Sequence, residues 1–557
     1  MATSADIPSG AGAGAFAPLR EKTFRTIWTA SLFSNFGQLI LGVGAAWEMV
    51  KLSSNDPSMV ALVQTALMVP LMFVALPAGA VADMFDRRKI ALIGLGFAVV
   101  SSTVLTVLAF MGLTTPWMLL GFLVLVGSGV ALYSPSWQAS IGEQVSPQNL
   151  PQAVALGTIS YNVARSFGPA LGGLIVLAFG AKAAFGINAT FYIPLWLAFF
   201  VWTRQHISSR LPPERIDRAI VSGARYALHS PPVRTVLIRA FVYGLASASS
   251  SALAPLIAEE MLDGNAGIYG ILLGATGVGA VLGALFVSWI RDRISTEAAM
   301  RLLAVGSGMP LVVIGLSHSL LLTCAAFFVM GACNILSVSM LNVTIQLSAP
   351  RWVTARALSL YSSALTAGIG IGAVGWGVVA SHSSVGFAFI ASGGAMLLTV
   401  LLGLPFRLQQ DQDVDTSQIE LGHEPEVALG LTLRSGPVVI EVEYDVDPDQ
   451  AREFYGVMVK LQRARNRIGA FDWSISRDIA KPSVWIERYH CPTWGDYLRM
   501  RDRYTQTEFE LQEAADGFNR SGQGQRVRRR LERPFGSVRW KADSPDHHLG
   551  TVGYIGP

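Results

Sequence analysis

Charge is what this sequence has least of: 14% of its 557 residues are Asp, Glu, Lys or Arg, against 51% hydrophobic ones, and its mean hydropathy is +0.44. That balance excludes a purely water-soluble chain, and the length excludes a single membrane span. The scarcity is uneven: residues 1–410 hold 22 Lys/Arg and 14 Asp/Glu, while 411–557 hold 20 and 24. The first three quarters therefore read as membrane and the last quarter as water-soluble. Cysteine is also sparse. Cys324 and Cys333 share one apolar segment and Cys491 stands alone, which excludes a disulfide framework and a metal-ligand spacing. No glycine-rich phosphate loop, zinc spacing or nucleophile constellation occurs, so no catalytic residue, cofactor or metal is expected, nor ATP-driven work within the chain. The basic residues of the first part fall at helix ends, where membrane topology explains them, so no nucleic-acid partner is expected.

Apolar runs of about 20 residues, enough to cross roughly 30 Å of hydrocarbon as a helix, lie near 24–49, 58–82, 90–111, 116–137, 153–178 and 184–203. A second set follows near 235–257, 267–290, 299–317, 319–346, 357–380 and 384–406. Numbered as spans 1 to 12, they predict an all-α, multi-pass membrane protein with the lipid bilayer as its solvent. Alternate connections on one side carry 18 Lys/Arg and the other side only Lys51 and Lys182. The positive-inside rule then places both termini and the central connection in the cytoplasm. The expected organisation is a flexible tail at 1–19, a six-helix bundle at 20–203, a central loop at 204–234 and a second bundle at 235–407. An acidic linker at 408–435, a soluble domain at 436–541 and a disordered tail at 542–557 complete it.

The two bundles look like copies. Gly79-Ala80 followed by Arg87 and Lys89 recurs as Gly283-Ala284 with Arg291 and Arg293, and GPALGG at 168–173 recurs as GAVGWG at 372–377, both 204 residues on. A duplicated six-helix unit is the architecture in which a substrate site lies between the halves near the membrane midplane. Between spans 2 and 3 stands GAVADMFDRRK, in which Gly79, Asp83, Arg87 and Arg88 match the signature loop of the major facilitator superfamily, with departures at Met84 and Asp86. The chain resembles that superfamily. A carboxylate at the end of span 2 can pair with a guanidinium or a helix N-terminus in one conformation and release it in another, so these four residues are the expected cytoplasmic gate. GPALGG in span 5 resembles the motif of exporters and antiporters, and Gly168, Pro169, Gly172 and Gly173 form a smooth, loosened helix face suited to close packing.

Arg165 lies about 20 Å along span 5 from Gln152, near the bilayer centre, where a charge is costly and normally functional. Tyr161 and Asn162 precede it by four and three residues on the same face. With Asn35 and Gln38 in span 1, Asn334 in span 10 and Tyr361 in span 11, they are the expected substrate-cavity residues, although helix-to-helix hydrogen bonds are the competing role for the amides. Arg239, five residues after Arg234, is expected to snorkel to the cytoplasmic surface. Glu48, beside Trp47, is the one candidate for proton coupling, and an interfacial Glu is its alternative.

The soluble part alternates as a half-buried strand at 438–446, with a helix at 448–467, strands at 471–478 and 483–490, a helix at 493–518 and a last strand at 534–540. That β-α-β-β-α-β order resembles a ferredoxin-like α+β domain of the small monooxygenase type, which implies a homodimer through the C-terminal domain. His490, Cys491, Trp473 and Trp485 are its chemistry-bearing residues, and a regulatory or dimerising module is preferred over an oxygenase. The whole chain resembles the transmembrane secretion effector branch of the superfamily, similar to bacterial enterobactin exporters. The resemblance implies a bacterial cytoplasmic (inner) membrane and a secondary active exporter of a small organic molecule of siderophore, drug or metabolite type, exchanging it for protons. An uptake carrier and a transporter with a cargo-modifying domain are the alternatives.

Overall fold

A computed structural model describes residues 16–74, 86–203, 224–350, 353–408, 427–520 and 526–532. The expected C-terminal tail, most of the expected N-terminal tail and most of the acidic linker lie outside them; the end of the N-terminal tail, expected to be flexible, forms a 3-10 turn at Ala17–Arg20. The chain divides into two compact units. The first, Met1–Ile220 with Thr235–Val343 and Ser359–Leu408, is helical.

Its N-terminal half is built from α1 (Lys22–Leu52), α2 (Pro57–Phe73), α3 (Arg87–Phe110), α4 (Pro116–Gln144), α5 (Leu150–Phe179) and α6 (Ala181–Val201). Its C-terminal half is built from α7 (Pro231–Ser247), α8 (Ala266–Leu285), α9 (Thr296–Leu316), α10 (Leu320–Ser348), α11 (Thr354–His382) and α12 (Val385–Leu398), with the ends of α7, α10 and α11 belonging to the second unit. Turn chemistry sets the starts. Asp56 accepts from Ser58 N before α2, Asp86 from Arg88 N before α3, and Asn265 from Gly267 N before α8. Nine helices among the described residues are long and apolar enough to cross a membrane. The protein is a multi-pass membrane protein.

Helices α1, α2 and α7 fall short of that measure, each for a visible reason. α1 carries Ser31, Ser34, Asn35 and Gln38, and α2 ends within the described residues after 17 residues. The run 235–257, expected as one span, is broken: α7 stops at Ser247, and short turns at Ser249–Ala252 and Ala254–Leu256 lead into a π-turn at Ile257–Met261. Three serines in succession, Ser249 to Ser251, and Pro255 weaken the regular ladder there.

The second unit comprises Val221–Arg234, Thr344–Leu358 and Gln409–Pro557. Its sheet contains β1 (Val438–Asp445), β2 (Phe471–Arg477), β3 (Val484–Cys491) and β4 (Arg526–Leu531) in the order β2-β3-β1-β4, every pair antiparallel. α13 (Ala451–Ile468) and the pair α14 (Trp494–Asp502) and α15 (Gln506–Asp516) supply the helices. Val438, Ile440, Val442 and Tyr444 of β1 pack with Phe454, Met458 and Leu461 of α13 in one core. The helix expected over 493–518 is two helices, because Thr505 and Glu508 form a capping box that restarts the chain at α15. The last described strand is 526–531; the 534–540 segment expected to be that strand lies outside the described residues. Its arginines face glutamates across the ladder, Arg530 to Glu441 at 3.2 Å and Arg528 to Glu443 at 3.6 Å. Residues 224–229 of the central connection form a helix in this same unit, and Arg225 Nη2 stands 3.3 Å from where a Cβ on Gly469 would lie.

Candidate functional site

α5 is the helix on which the two halves meet. Along one face Gly168 and Gly172 admit α1, so that a Cβ on either would stand 3.0 Å from Leu39 Cβ and 3.1 Å from Val43 Cβ respectively. Along another, α5 runs antiparallel to α8 at backbone contact: a Cβ on Gly173 would lie 2.2 Å from Gly270 Cα, and one on Gly277 2.0 Å from the Ser166 carbonyl oxygen. A second seam joins α11 to α2. A Cβ on Gly377 of α11 would lie 2.6 Å from Ala61 Cβ of α2, and Thr65 Oγ1 of α2 donates to Gly370 O at 2.9 Å. Trp47 of α1 stacks on Tyr269 of α8, centroids 6.2 Å apart. These contacts gather toward the end of the bundle that holds the turns after α1, α5 and α11, called here the far end.

Deeper along α5 the seam gives way to polar groups. Arg165 is exposed between the halves, and its Nη2 donates to Asn334 Oδ1 of α10 at 3.5 Å. One cation of the N-terminal half thus meets an amide of the C-terminal half. Tyr361 is buried and donates to Val338 O at 2.9 Å, which leaves its hydroxyl oxygen free to accept. Tyr161 and Asn162 are exposed a turn before Arg165, and Gln38 is half-buried on α1. Asn35 serves as a helix-to-helix bond, Nδ2 donating to Ser160 Oγ of α5 at 3.3 Å. Asn188 does likewise, accepting from Ser102 at 2.6 Å between α6 and α3. Glu48 is half-buried beside Trp47 toward the far end.

At the near end, where the chain enters α1, the charges are tied within each half. Arg87 donates to Glu143 Oε1 at 3.0 Å and to Ala139 O at 2.8 Å on α4, and Arg88 donates to Phe199 O at 3.0 Å and to Phe200 O on α6. Gly79 and Asp83, the rest of the expected gate, lie outside the described residues. Arg239 does not snorkel as expected. It is buried, donates to Glu297 at 2.8 and 2.9 Å, and caps Phe406 O at 2.8 Å; Glu297 also accepts from Arg301 Nε at 2.9 Å and Leu408 N at 3.1 Å. A carboxylate 58 positions away had no visible link to Arg239 in the sequence. Glu21, before α1, accepts from Ser146 N at 3.0 Å and Asn149 Nδ2 at 3.1 Å. Burial opposes its charged form, but these hydrogen bonds prevail and hold the carboxyl below its ordinary value.

In the second unit the chemistry-bearing residues are largely engaged in structure. Glu487 is fully buried and accepts from Arg465 Nε at 3.1 Å, Trp473 Nε1 at 2.9 Å and Tyr444 Oη at 3.2 Å. Cys491 is buried, which pushes its thiol up to about 12, and His490 Nε2 stands 3.2 Å from Glu532.

Known proteins with this pattern are transporters. The chain is 25% identical over 360 residues to an uncharacterized MFS-type transporter, YfiS, of Bacillus subtilis, covering 63% of this chain and 84% of that one. It is 27% identical over 408 residues to the enterobactin exporter EntS of Citrobacter koseri, covering 70% and 94%. Among solved structures, a bacterial homologue of the human lysosomal transporter Spinster, inward-facing and unoccupied, matches with TM-score 0.55 at 13% identity, over 70% of this chain and 95% of that one. That likeness shows the helical transporter fold, and these similar proteins are membrane transporters rather than enzymes. A family model described as transmembrane secretion effector matches residues 13–535, and the chain belongs to that family.

Proposed function

We propose that this protein is a secondary active exporter of a small organic molecule, driven by proton antiport and working by alternating access between the two halves. The observation that carries the reading is the seam itself. The halves touch through glycine backbones on α5/α8 and α2/α11, and a polar centre around Arg165 lies between them. Such contacts can part without stripping a charge of its partner. Named exporters and transporters of siderophores among the similar proteins support export of cargo of that size. In this reading the membrane is the bacterial cytoplasmic membrane, both termini face the cytoplasm, and Tyr161, Asn162, Arg165, Asn334 and Tyr361, with Gln38, line the cavity. Arg87 and Arg88, with Gly79 and Asp83, form the cytoplasmic gate, and Glu48 is the proton-coupling candidate. The C-terminal domain is a regulatory or dimerising module. Its strand order, β2-β3-β1-β4, supports the ferredoxin-like reading.

The test is efflux of a panel of siderophores and lipophilic antibiotics from cells expressing the protein, with and without an uncoupler. Uncoupler-sensitive efflux is expected, and net inward movement of the same compounds would sink the exporter reading.

A further inference from the structure

Elsewhere in this protein buried arginines are matched by carboxylates. Arg239 has Glu297 at 2.8 Å, and Arg465 has Glu487 at 3.1 Å. A guanidinium in a medium of low dielectric needs such a partner, because loss of hydration costs several kcal/mol, of order 3–5 when a pair is broken. Arg165 is built differently. It is exposed between the halves, and its described hydrogen bond goes to a neutral amide, Asn334. Among the described residues of the bundle, the carboxylates sit at helix ends or in the turns: Glu21, Glu48, Asp56, Asp86, Glu143, Glu259, Glu260, Asp263, Asp292 and Glu297. No described ion pair joins any of them to Arg165. Among the described residues, the centre between the halves therefore carries a positive charge with no carboxylate paired to it.

Resting on the transport reading above, we infer that the missing partner is the cargo, and that the transported molecule is an organic anion whose carboxylate binds Arg165. Arg165 uses one Nη2 donation on Asn334, and its remaining N–H groups can take a carboxylate in the two-point geometry that a guanidinium fork favours. The phenol of Tyr361, whose proton is committed to Val338 O, accepts from a cargo hydroxyl rather than donating to the acid. Arg165 then acts twice. It selects cargo by charge, and it loses its exposed charge only when cargo is aboard.

The experiment uses the full-length protein in proteoliposomes under an imposed pH gradient, with aromatic and hydroxy-carboxylic acids each paired with its primary amide. The wild type is expected to move at least one acid tenfold or more faster than its amide. Arg165→Gln is expected to abolish that preference and Arg165→Lys to keep part of it. Should Arg165→Gln fail to fold, the acid-to-amide ratio of the wild type and of Arg165→Lys decides alone. Movement of amides or cations but not of acids overturns the anion proposal and leaves transport standing, as does an equal slowing of acid and amide in a folded Arg165→Gln. If no compound of any charge moves, the transport reading is overturned and this proposal falls with it.

Discussion

Gly173→Ala tests whether the seam on α5 is a reversible contact between the halves. An added methyl carbon would stand 2.2 Å from Gly270 Cα and 2.9 Å from Gly270 N, where carbon contacts settle at about 3.5–4.0 Å. Both obstructing atoms are backbone, so no side chain can rotate out of the way. α5 and α8 must separate by on the order of 1.5 Å, the shortfall from ordinary contact distance. Overpacking of this kind costs about 1–3 kcal/mol, and it is charged only to the arrangement in which these helices touch. The equilibrium between touching and parted halves should move by about 5- to 150-fold toward parted. Helix propensity works the other way, since alanine favours helix by about 1 kcal/mol over glycine, but equally in both arrangements. Gly375→Ala in α11, where no heavy atom lies within 4 Å of an added Cβ, isolates that propensity gain. The assay is the distance between spin labels at Lys182 and Asp263, in a background with Cys324 and Cys333 replaced by Ser. Gly173→Ala should add a population at longer distance and Gly375→Ala should not. Identical distributions in the two variants would refute the claim that this glycine contact holds the far end closed.

Glu297→Gln leaves buried Arg239 without its counter-ion and should destabilise the protein by about 3–5 kcal/mol, whereas Arg301→Ala, removing a 43%-exposed partner of the same carboxylate, should cost about 0–1 kcal/mol; thermal unfolding of the detergent-solubilised chain compares them. Glu21 sets a pH dependence. Its folded value is depressed, so its tie to Ser146 and Asn149 adds stability above the ordinary carboxyl value of 4.5 and loses it as pH falls through the lower folded value. Hydrogen exchange at the Ser146 amide should quicken, relative to the intrinsic rate, as pH falls below the ordinary carboxyl value in the wild type and show no such step in Glu21→Gln.

The parts of this fold legible in the sequence were those that obey one-dimensional rules. Apolar length placed most helices, glycine spacing marked α5 as a packing helix, and counting along that helix singled out Arg165, which donates to Asn334. Partnerships between distant residues were not legible. Asn35, a cavity candidate, bonds instead to Ser160, because an amide facing a neighbouring helix and one facing a cavity share the same sequence pattern. Arg239 was read as snorkelling, since nothing local to it reveals Glu297. The strand RVRRRL escaped a search for apolar alternation because its outward arginines are matched by Glu441 and Glu443 on β1, a balance visible only once the strands are paired.

The distribution of strong and weak contacts bears on how such a bundle could work. Each described ion pair of the helical unit lies inside one half: Arg87 with Glu143 in the first, and Arg239 and Arg301 with Glu297 and Arg291 with Asp292 in the second. Breaking such a pair away from water costs several kcal/mol, so the buried pairs resist rearrangement inside each half. Between the halves the described contacts are of another kind: van der Waals contact of glycine backbone, the stack of Trp47 on Tyr269, the Thr65 and Ser58 hydroxyl bonds to Gly370 O and Ser381, and Arg165 on a neutral amide at 3.5 Å. Each is worth about 0.5–3 kcal/mol in net terms, the charged donation from Arg165 the most, and none breaks an ion pair when it opens. A seam made of many weak contacts can be biased by the binding energy of one ligand, because a shift from 1:99 to 99:1 needs only about 5.5 kcal/mol of differential affinity. An anionic group closing on Arg165 in one arrangement and not the other is of the right size to supply it.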